Sequence, residues 1–373
     1  MKQPIRILHV IGKMDRAGAE TLIMNLYRNI NRGKVQFDFV VHSQKEGDYD
    51  QEIKSLGGRI FYMPNYSPAN IIGYKRAWNE FFKKNHEYKI IHGHLGSVAS
   101  IYLGVAKKYG LFTIAHSHNT YSKFSIKQLT YQISSYPTRY IADYFFACSA
   151  AAGRERYGSK VIRRKNYKIL ANAIQFDDFE YSENTRKKVR NSLGIRGKFV
   201  VGHVGRFNTQ KNHEFLIEIF REIRKKKDNA VLLLVGVGEE QSKIYNKVEK
   251  YGMLEDVKFL GLRDDIPQLL QAFDIFLFPS MYEGLPVALI EAQAASLPCV
   301  VSSVITEEVD IKADLIGFVT LDSSLAVWAD KVIAFGNKER KSTRNSIEKS
   351  GYNIIEVAKW LQEFYIQKIE ELK

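Results

Sequence analysis

The chain has 373 residues, 45% of them hydrophobic and 12% aromatic, which is enough for packed cores and favours two domains over one. That composition excludes a disordered or low-complexity protein. Lysine and arginine (55) outnumber aspartate and glutamate (41) to give a net charge of +14, a balance suited to nucleotide phosphates, anionic lipid headgroups or nucleic acid.

Apolar, β-branched runs alternate with amphipathic helical stretches along the sequence. The first predicted strand, 5–11, leads into Gly12-Lys13-Met14-Asp15-Arg16-Ala17-Gly18-Ala19-Glu20. The small residues at 17–19 open a helix over 21–27 and let a ligand approach the backbone; a plain tight turn is the other reading. The three-glycine spacing of a dinucleotide fingerprint is missing. Further strands are predicted at 37–42, 59–63, 90–94, 112–116, 144–148 and 169–172. Two of them carry His-x-His pairs, His92/His94 and His116/His118. Residues i and i+2 of a strand share a face, so four imidazoles gather if those strands are neighbours. A zinc site is one reading. The other is a polar crevice wall in which one histidine, best His116 at the end of an apolar run, bonds a hydroxyl or acts as a base.

The polar stretch 175–197 reads as the domain boundary, placed at 178/179. A second set of strands follows at 199–204, 230–235, 257–260, 275–278, 299–302 and 318–321. Near-continuous apolar strands, each followed by a helix, predict α/β architecture: two doubly wound, Rossmann-like domains with parallel sheets, facing each other, with ligands beyond the carboxyl ends of the strands. The last stretch, 354–372, is a helix with a wide apolar stripe. Cys148 and Cys299 sit in apolar runs and read as small buried hydrophobes, not a disulfide. The start lacks a signal-peptide core and no run is long enough for an apolar membrane helix, so a cytoplasmic protein that touches a membrane surface at most is expected.

The chemistry concentrates in the second half. Gly205-Arg206-Phe207-Asn208-Thr209-Gln210-Lys211 follows a strand; Arg206 and Lys211 can converge on one diphosphate, the first as a planar fork and the second as a point charge. Val235-Gly236-Val237-Gly238 is a plain turn or a binding loop, and the backbone around Gly261-Leu262 can read a base edge. Then comes Glu283-Gly284-Leu285-Pro286, with Glu291 in the helix behind it. Proline in the first turn, with free amides after it, is an anion-binding arrangement. Glu283 repels phosphate and suits sugar hydroxyls, and Glu291, about five residues into the helix or roughly 7 Å along it, lies at ribose distance. No Asp-x-Asp for a metal–diphosphate, no P-loop and no Ser–His–Asp spacing is present, so no metal ligand set is assigned.

Together these segments resemble the retaining GT-B glycosyltransferases of family 4 over nearly the whole chain. The most specific likeness is Glu-x7-Glu (Glu283, Glu291) in its Glu-Gly-Leu-Pro context, joined by Gly205-Arg206 with Lys211, Gly18-Ala19-Glu20, Phe259-Leu260-Gly261 and Asn172-Ala173-Ile174. The resemblance implies domains at 1–178 and 179–354, with helix 355–373 crossing back to the first. It implies that Arg206 and Lys211 hold a diphosphate, Glu291 the ribose, and Glu283 with Gly284, Leu285 and Pro286 the donor sugar. His116, or His118 on the same face, would face that sugar, Gly18 the phosphates or the acceptor, and Gly236 and Leu262 the nucleotide. It further implies metal-independent hexosyl transfer with retention, without a cofactor, from a UDP-sugar to a glycan or polyprenyl-diphosphate-linked saccharide in capsule or exopolysaccharide synthesis. An anionic membrane surface is a fitting partner, nucleic acid is not, and an epimerase or phosphorylase of similar shape is the alternative. Ala17, Ala173 and Ser296-Leu297-Pro298 depart from the family pattern without removing a charged ligand.

Overall fold

The computed structural model describes residues 3–118 and 126–372. The chain divides into two compact units, Met1–Ala173 with Asn353–Lys373, and Ile174–Tyr352. The first unit holds β1 (Ile5–Ile11), β2 (Val35–Val41), β3 (Ile60–Tyr62), β4 (Ile90–Gly93), β5 (Phe112–Ser117), β6 (Tyr144–Ala147) and β7 (Tyr167–Ile169). They form one parallel sheet in the order β3-β2-β1-β4-β5-β6-β7. The second holds β8 (Phe199–Val204), β9 (Ala230–Val235), β10 (Val257–Gly261), β11 (Ile275–Phe278), β12 (Cys299–Ser302) and β13 (Ile316–Val319), a parallel sheet in the order β10-β9-β8-β11-β12-β13. Each order reverses once beside its first strand, the topology of a doubly wound sheet with a switch point.

Every residue of β2, β9, β11 and β12 lies inside; β9 and β11 accordingly read as unbroken apolar runs, while β2 also buries Gln36 and Asp38, the latter paired with Arg6 and Arg59. Two edge strands differ from expectation. β7 covers Tyr167–Ile169, not 169–172, and β13 covers Ile316–Val319, not 318–321. The helix after β1 starts at Gly18, three residues early.

The terminal helix Ile354–Glu371 belongs to the first unit. Its buried stripe (Ile354, Ala358, Leu361, Phe364, Tyr365) joins the core around Phe37, Phe39 and Phe146. The two cysteines are buried and are not joined by a disulfide. Among the described residues no helix is long and apolar enough to cross a membrane.

Candidate functional site

In the second unit, β8 ends in a loop that is tied to the loop after β11. The Asn208 side chain accepts from the Lys211 amide at 3.2 Å and fixes the short turn Thr209–Lys211. Asn212 closes that turn in the left-handed region (φ 56°) and gives its side-chain amide to the Pro279 carbonyl at 3.2 Å. The Met281 amide donates to the Gln210 carbonyl at 2.9 Å, and Gln210 Nε2 to the Tyr282 carbonyl at 3.0 Å. These bonds bring Lys211 to Glu283: Nζ lies 2.6 Å from Oε1, with both side chains largely buried. The ammonium also sits 4.5 Å from the centre of the Phe278 ring.

Arg206 does not share this contact. Its side chain is 72% exposed and stands 3.5 Å from Glu239, a surface pair of small energetic weight. The two cations expected to converge therefore rest on different carboxylates, with Arg206 held loosely enough to move.

Behind Glu283, residues Gly284, Leu285 and Pro286 are buried. Pro286 is the N-cap of the helix Val287–Ala294, one position before the first turn in which it was expected. The first-turn amides and the positive end of the helix still lie directly after the Glu283 loop. Glu291 is the fifth residue of that helix and is half-buried. No hydrogen bond or ion pair to its carboxyl group occurs among the described residues, and burial pushes its pKa up to about 7. A desolvated carboxylate without a protein partner is ready to accept hydroxyl donors.

The glycines of this end have structural duties. Gly205 donates to the Val235 carbonyl at 2.9 Å and Gly236 to the Gly261 carbonyl at 2.8 Å. A Cβ on Gly236 would lie 2.2 Å from the Gly205 carbonyl oxygen, and Gly236 has φ 131°; a Cβ on Gly238 would lie 2.2 Å from the Phe207 carbonyl oxygen. The second glycine loop is thus shaped first by backbone packing. Beside it, Val237 (45%) and Leu262 (61%) are exposed apolar side chains at the ends of the adjacent strands β9 and β10.

In the first unit, His116 is buried in β5, with Nδ1 3.2 Å from His92 Nε2. His118 lies just past the strand end, its ring 4.0 Å from that of His116, with Nε2 2.8 Å from His94 Nδ1. The His-x-His strands do neighbour each other, and His9 of β1 joins them at 2.9 Å from His94. Sequence reasoning missed His9, because only the β1–β4 pairing brings it there. Burial holds His116 well below the ordinary histidine range, so it is neutral at pH 7. Gly18 opens its helix with no atom within 4 Å of an added Cβ; packing does not require a glycine there. Two residues on, burial pushes the Glu20 carboxyl up to about 7.

A concavity of about 530 Å³ opens at the carboxyl ends of β1, β2 and β4, lined among others by Gly12, Gln44, Lys45, Asn65, Tyr66 and Ser97. These polar residues were not singled out from the sequence. The signal was available in the polar loops that follow the predicted strands, where doubly wound sheets bind ligands.

Two parallel-sheet units, one carrying a Lys–Glu pair beside a helix N-terminus and a partnerless carboxylate, define the two-domain class of sugar-transferring enzymes. The model of "Glycosyl transferases group 1" matches residues 185–354, and that of "Glycosyltransferase Family 4" matches residues 16–176. The chain is 34% identical to EpsF of Bacillus subtilis (strain 168), named as a glycosyltransferase, over 93% of each chain. It is 27% identical to the capsular polysaccharide biosynthesis glycosyltransferase CapH of Staphylococcus aureus, over 82% of this chain and 83% of CapH. Over 54% of each chain it is 30% identical to the Escherichia coli UDP-Gal:alpha-D-GlcNAc-diphosphoundecaprenol alpha-1,3-galactosyltransferase. The Anabaena HepE structure in complex with UDP-glucose superposes with a TM-score of 0.80 at 19% identity, over 97% of this chain and 99% of that one, a likeness of fold, here GT-B. The chain belongs to glycosyltransferase family 4 and is a glycosyltransferase.

Proposed function

We propose that this protein transfers a sugar from a UDP-sugar, with retention and without a required metal, to a lipid-linked saccharide in the synthesis of a cell-surface polysaccharide. The observation that carries this reading is the second-unit arrangement: Lys211 paired with Glu283 at 2.6 Å, ahead of a helix whose fifth residue is the partnerless Glu291. A nucleoside diphosphate sugar satisfies all three groups at once. Its phosphate takes the Lys211 ammonium, its ribose hydroxyls donate to Glu291, and its sugar hydroxyls donate to the Glu283 carboxylate that Lys211 releases. Gly284, Leu285 and Pro286 line the sugar with backbone, Arg206 swings from Glu239 onto the diphosphate, and the base rests near Val237 and Leu262 beside Gly236.

As the bond from the anomeric carbon to the phosphate oxygen breaks, negative charge grows on the leaving diphosphate. Lys211 and Arg206 stabilise that charge, where electrostatic catalysis is most effective. They take the part a divalent ion would otherwise play. The departing phosphate oxygen accepts the proton of the acceptor hydroxyl, which attacks from the same face and so retains the configuration. His116, neutral and with Nε2 unpartnered among the described residues, offers that nitrogen to a substrate hydroxyl, and Gly18 lets substrate approach the first-unit backbone. The acceptor belongs to the polar concavity of the first unit.

The relatives support this reading through their names: one uses UDP-Gal on a diphosphoundecaprenol acceptor, and one acts in capsular polysaccharide synthesis. The charge of +14 suits a cytoplasmic enzyme docking on an anionic membrane face. The deciding experiment screens a nucleotide-sugar panel with lipid-linked saccharide extracts. Product from a UDP-sugar is expected, and product from GDP-sugars alone would overturn the donor assignment. Salt-sensitive flotation with anionic vesicles tests the docking.

A further inference from the structure

Five histidines cluster at the carboxyl ends of β1, β4 and β5. His94 is the hub: its Nε2 is 2.9 Å from His9 Nδ1 and its Nδ1 is 2.8 Å from His118 Nε2. A second chain runs from the Tyr365 hydroxyl to His92 Nδ1 at 2.6 Å, and from His92 Nε2 to His116 Nδ1 at 3.2 Å. A neutral imidazole has one N–H and one lone pair. In the chain His9–His94–His118 two hydrogen bonds consume two of each, in whichever direction they run. One terminal nitrogen therefore keeps a bare lone pair and the other an unused N–H. Those ends, His9 Nε2 and His118 Nδ1, are buried without a partner among the described residues, and so is His116 Nε2.

Buried orphan nitrogens call for a water or an ion. The neutral imidazole is the form that ligates metal. In two sets, His9/His92/His94 and His94/His116/His118, one nitrogen per ring lies within 4.8 Å of the others. Tetrahedral zinc with bonds of about 2.0–2.1 Å spaces its ligand nitrogens by about 3.3 Å, so the 2.8 and 2.9 Å contacts open by a few tenths of an ångström while the wider pairs, up to 4.8 Å apart, close by up to about 1.5 Å through ring rotation. His94 and His118 are half-buried and give an ion its way in. The Tyr365 hydroxyl on His92 is the kind of outer contact that orients a ligating imidazole. All-imidazole sets without a carboxylate suit zinc, copper or nickel and not magnesium or calcium.

We propose that this cluster binds one divalent transition ion of the zinc class, centred on His94, with three imidazoles as ligands and a fourth position for water. All of its candidate ligands lie in the first unit.

The test uses the untagged full chain, stripped with chelator, equilibrated with micromolar zinc chloride, freed of loose metal and counted by mass spectrometry. About one ion per chain is expected, with cobalt giving the intense visible absorption of a tetrahedral site. His94→Asn should lower the count to background, while His86→Ala, which removes an exposed histidine, should leave it unchanged. Should His94→Asn fail to give the wild-type circular dichroism, His118→Asn at the rim takes its place. X-ray absorption of the wild-type zinc form should show imidazole ligands. A metal-free wild type, equal retention by the cluster variant, or an oxygen-only shell would each overturn the site.

Discussion

Lys211 and Glu283 stand 72 residues apart in the chain and 2.6 Å apart in space. Each neutralises the other, so neither charge is left bare. A donor that replaces this one contact with two, phosphate on the ammonium and hydroxyl on the carboxylate, binds without stranding a charge. On the proposed reading, the pair couples recognition of the diphosphate to recognition of the sugar.

Lys211→Ala should therefore act twice. Turnover should fall about 10²–10³-fold, as when one donor to a developing anion is lost. Stability should fall by roughly 1–3 kcal/mol, because the largely buried Glu283 carboxylate loses its ion-pair partner. Rate assays and thermal melts read the two effects separately, and Lys211→Ala Glu283→Gln should regain stability without activity. Turnover near wild type in the single variant would remove the leaving-group role.

Two glycine substitutions should separate packing from binding. Gly236→Ala forces a Cβ to within 2.2 Å of the Gly205 carbonyl oxygen at φ 131°, so a loss of roughly 1–3 kcal/mol or more is expected. Gly18→Ala meets nothing within 4 Å and should leave stability unchanged or raise it by up to about 1 kcal/mol. Lost activity in that stable protein would mark a ligand at the Gly18 backbone; full activity in it would withdraw Gly18 from the site.

The same contrast explains what could be read from sequence. Central strands such as β9 and β11 are buried on both faces, so their apolar runs mark them directly. β7 and β13 lie at sheet edges, where burial no longer sets the pattern. In β7 the apolar Leu170 comes after the strand and donates its amide back to Ala147, which drew the predicted strand too far along. Glu283, Glu291 and Lys211 were legible because short loops and one helix fix them locally. The partner of Lys211 and the arrival of His9 were not, since both depend on strand order across distant segments. Arg206 was legible as a cation, but its exposure and its pairing with Glu239 were not.

Metal independence and stereochemistry have their own tests. Exhaustive chelation should leave the transfer rate unchanged, because Lys211 and Arg206 provide the positive charge at the diphosphate. Abolition that magnesium or manganese restores would place a cation there instead. NMR of the first-formed product should show the anomeric configuration of the donor, and an inverted product would overturn same-face transfer.

Glu291 links binding to pH. Burial raises its folded-state pKa to about 7 from an ordinary 4.5. Below pH 4.5 both folded and unfolded forms hold the proton and burial of the neutral acid carries no ionic penalty. As pH rises toward 7 the unfolded state gives up its proton first, so this group's contribution to stability falls, by on the order of 3 kcal/mol at most, and levels off above the folded-state pKa. Glu20, raised in the same direction, adds a parallel trend, so the informative quantity is the difference between wild type and Glu291→Gln. Chemical denaturation should show the variant gaining relative stability between pH 5 and pH 8; a pH-independent difference would mean the carboxyl is solvated. Ribose hydroxyls favour the ionised form, so UDP binding to wild type near pH 7 should release protons, seen as a buffer-dependent heat in calorimetry, while Glu291→Gln should bind about tenfold more weakly and release none from this site. Unchanged UDP affinity in the variant would remove Glu291 from the nucleotide site.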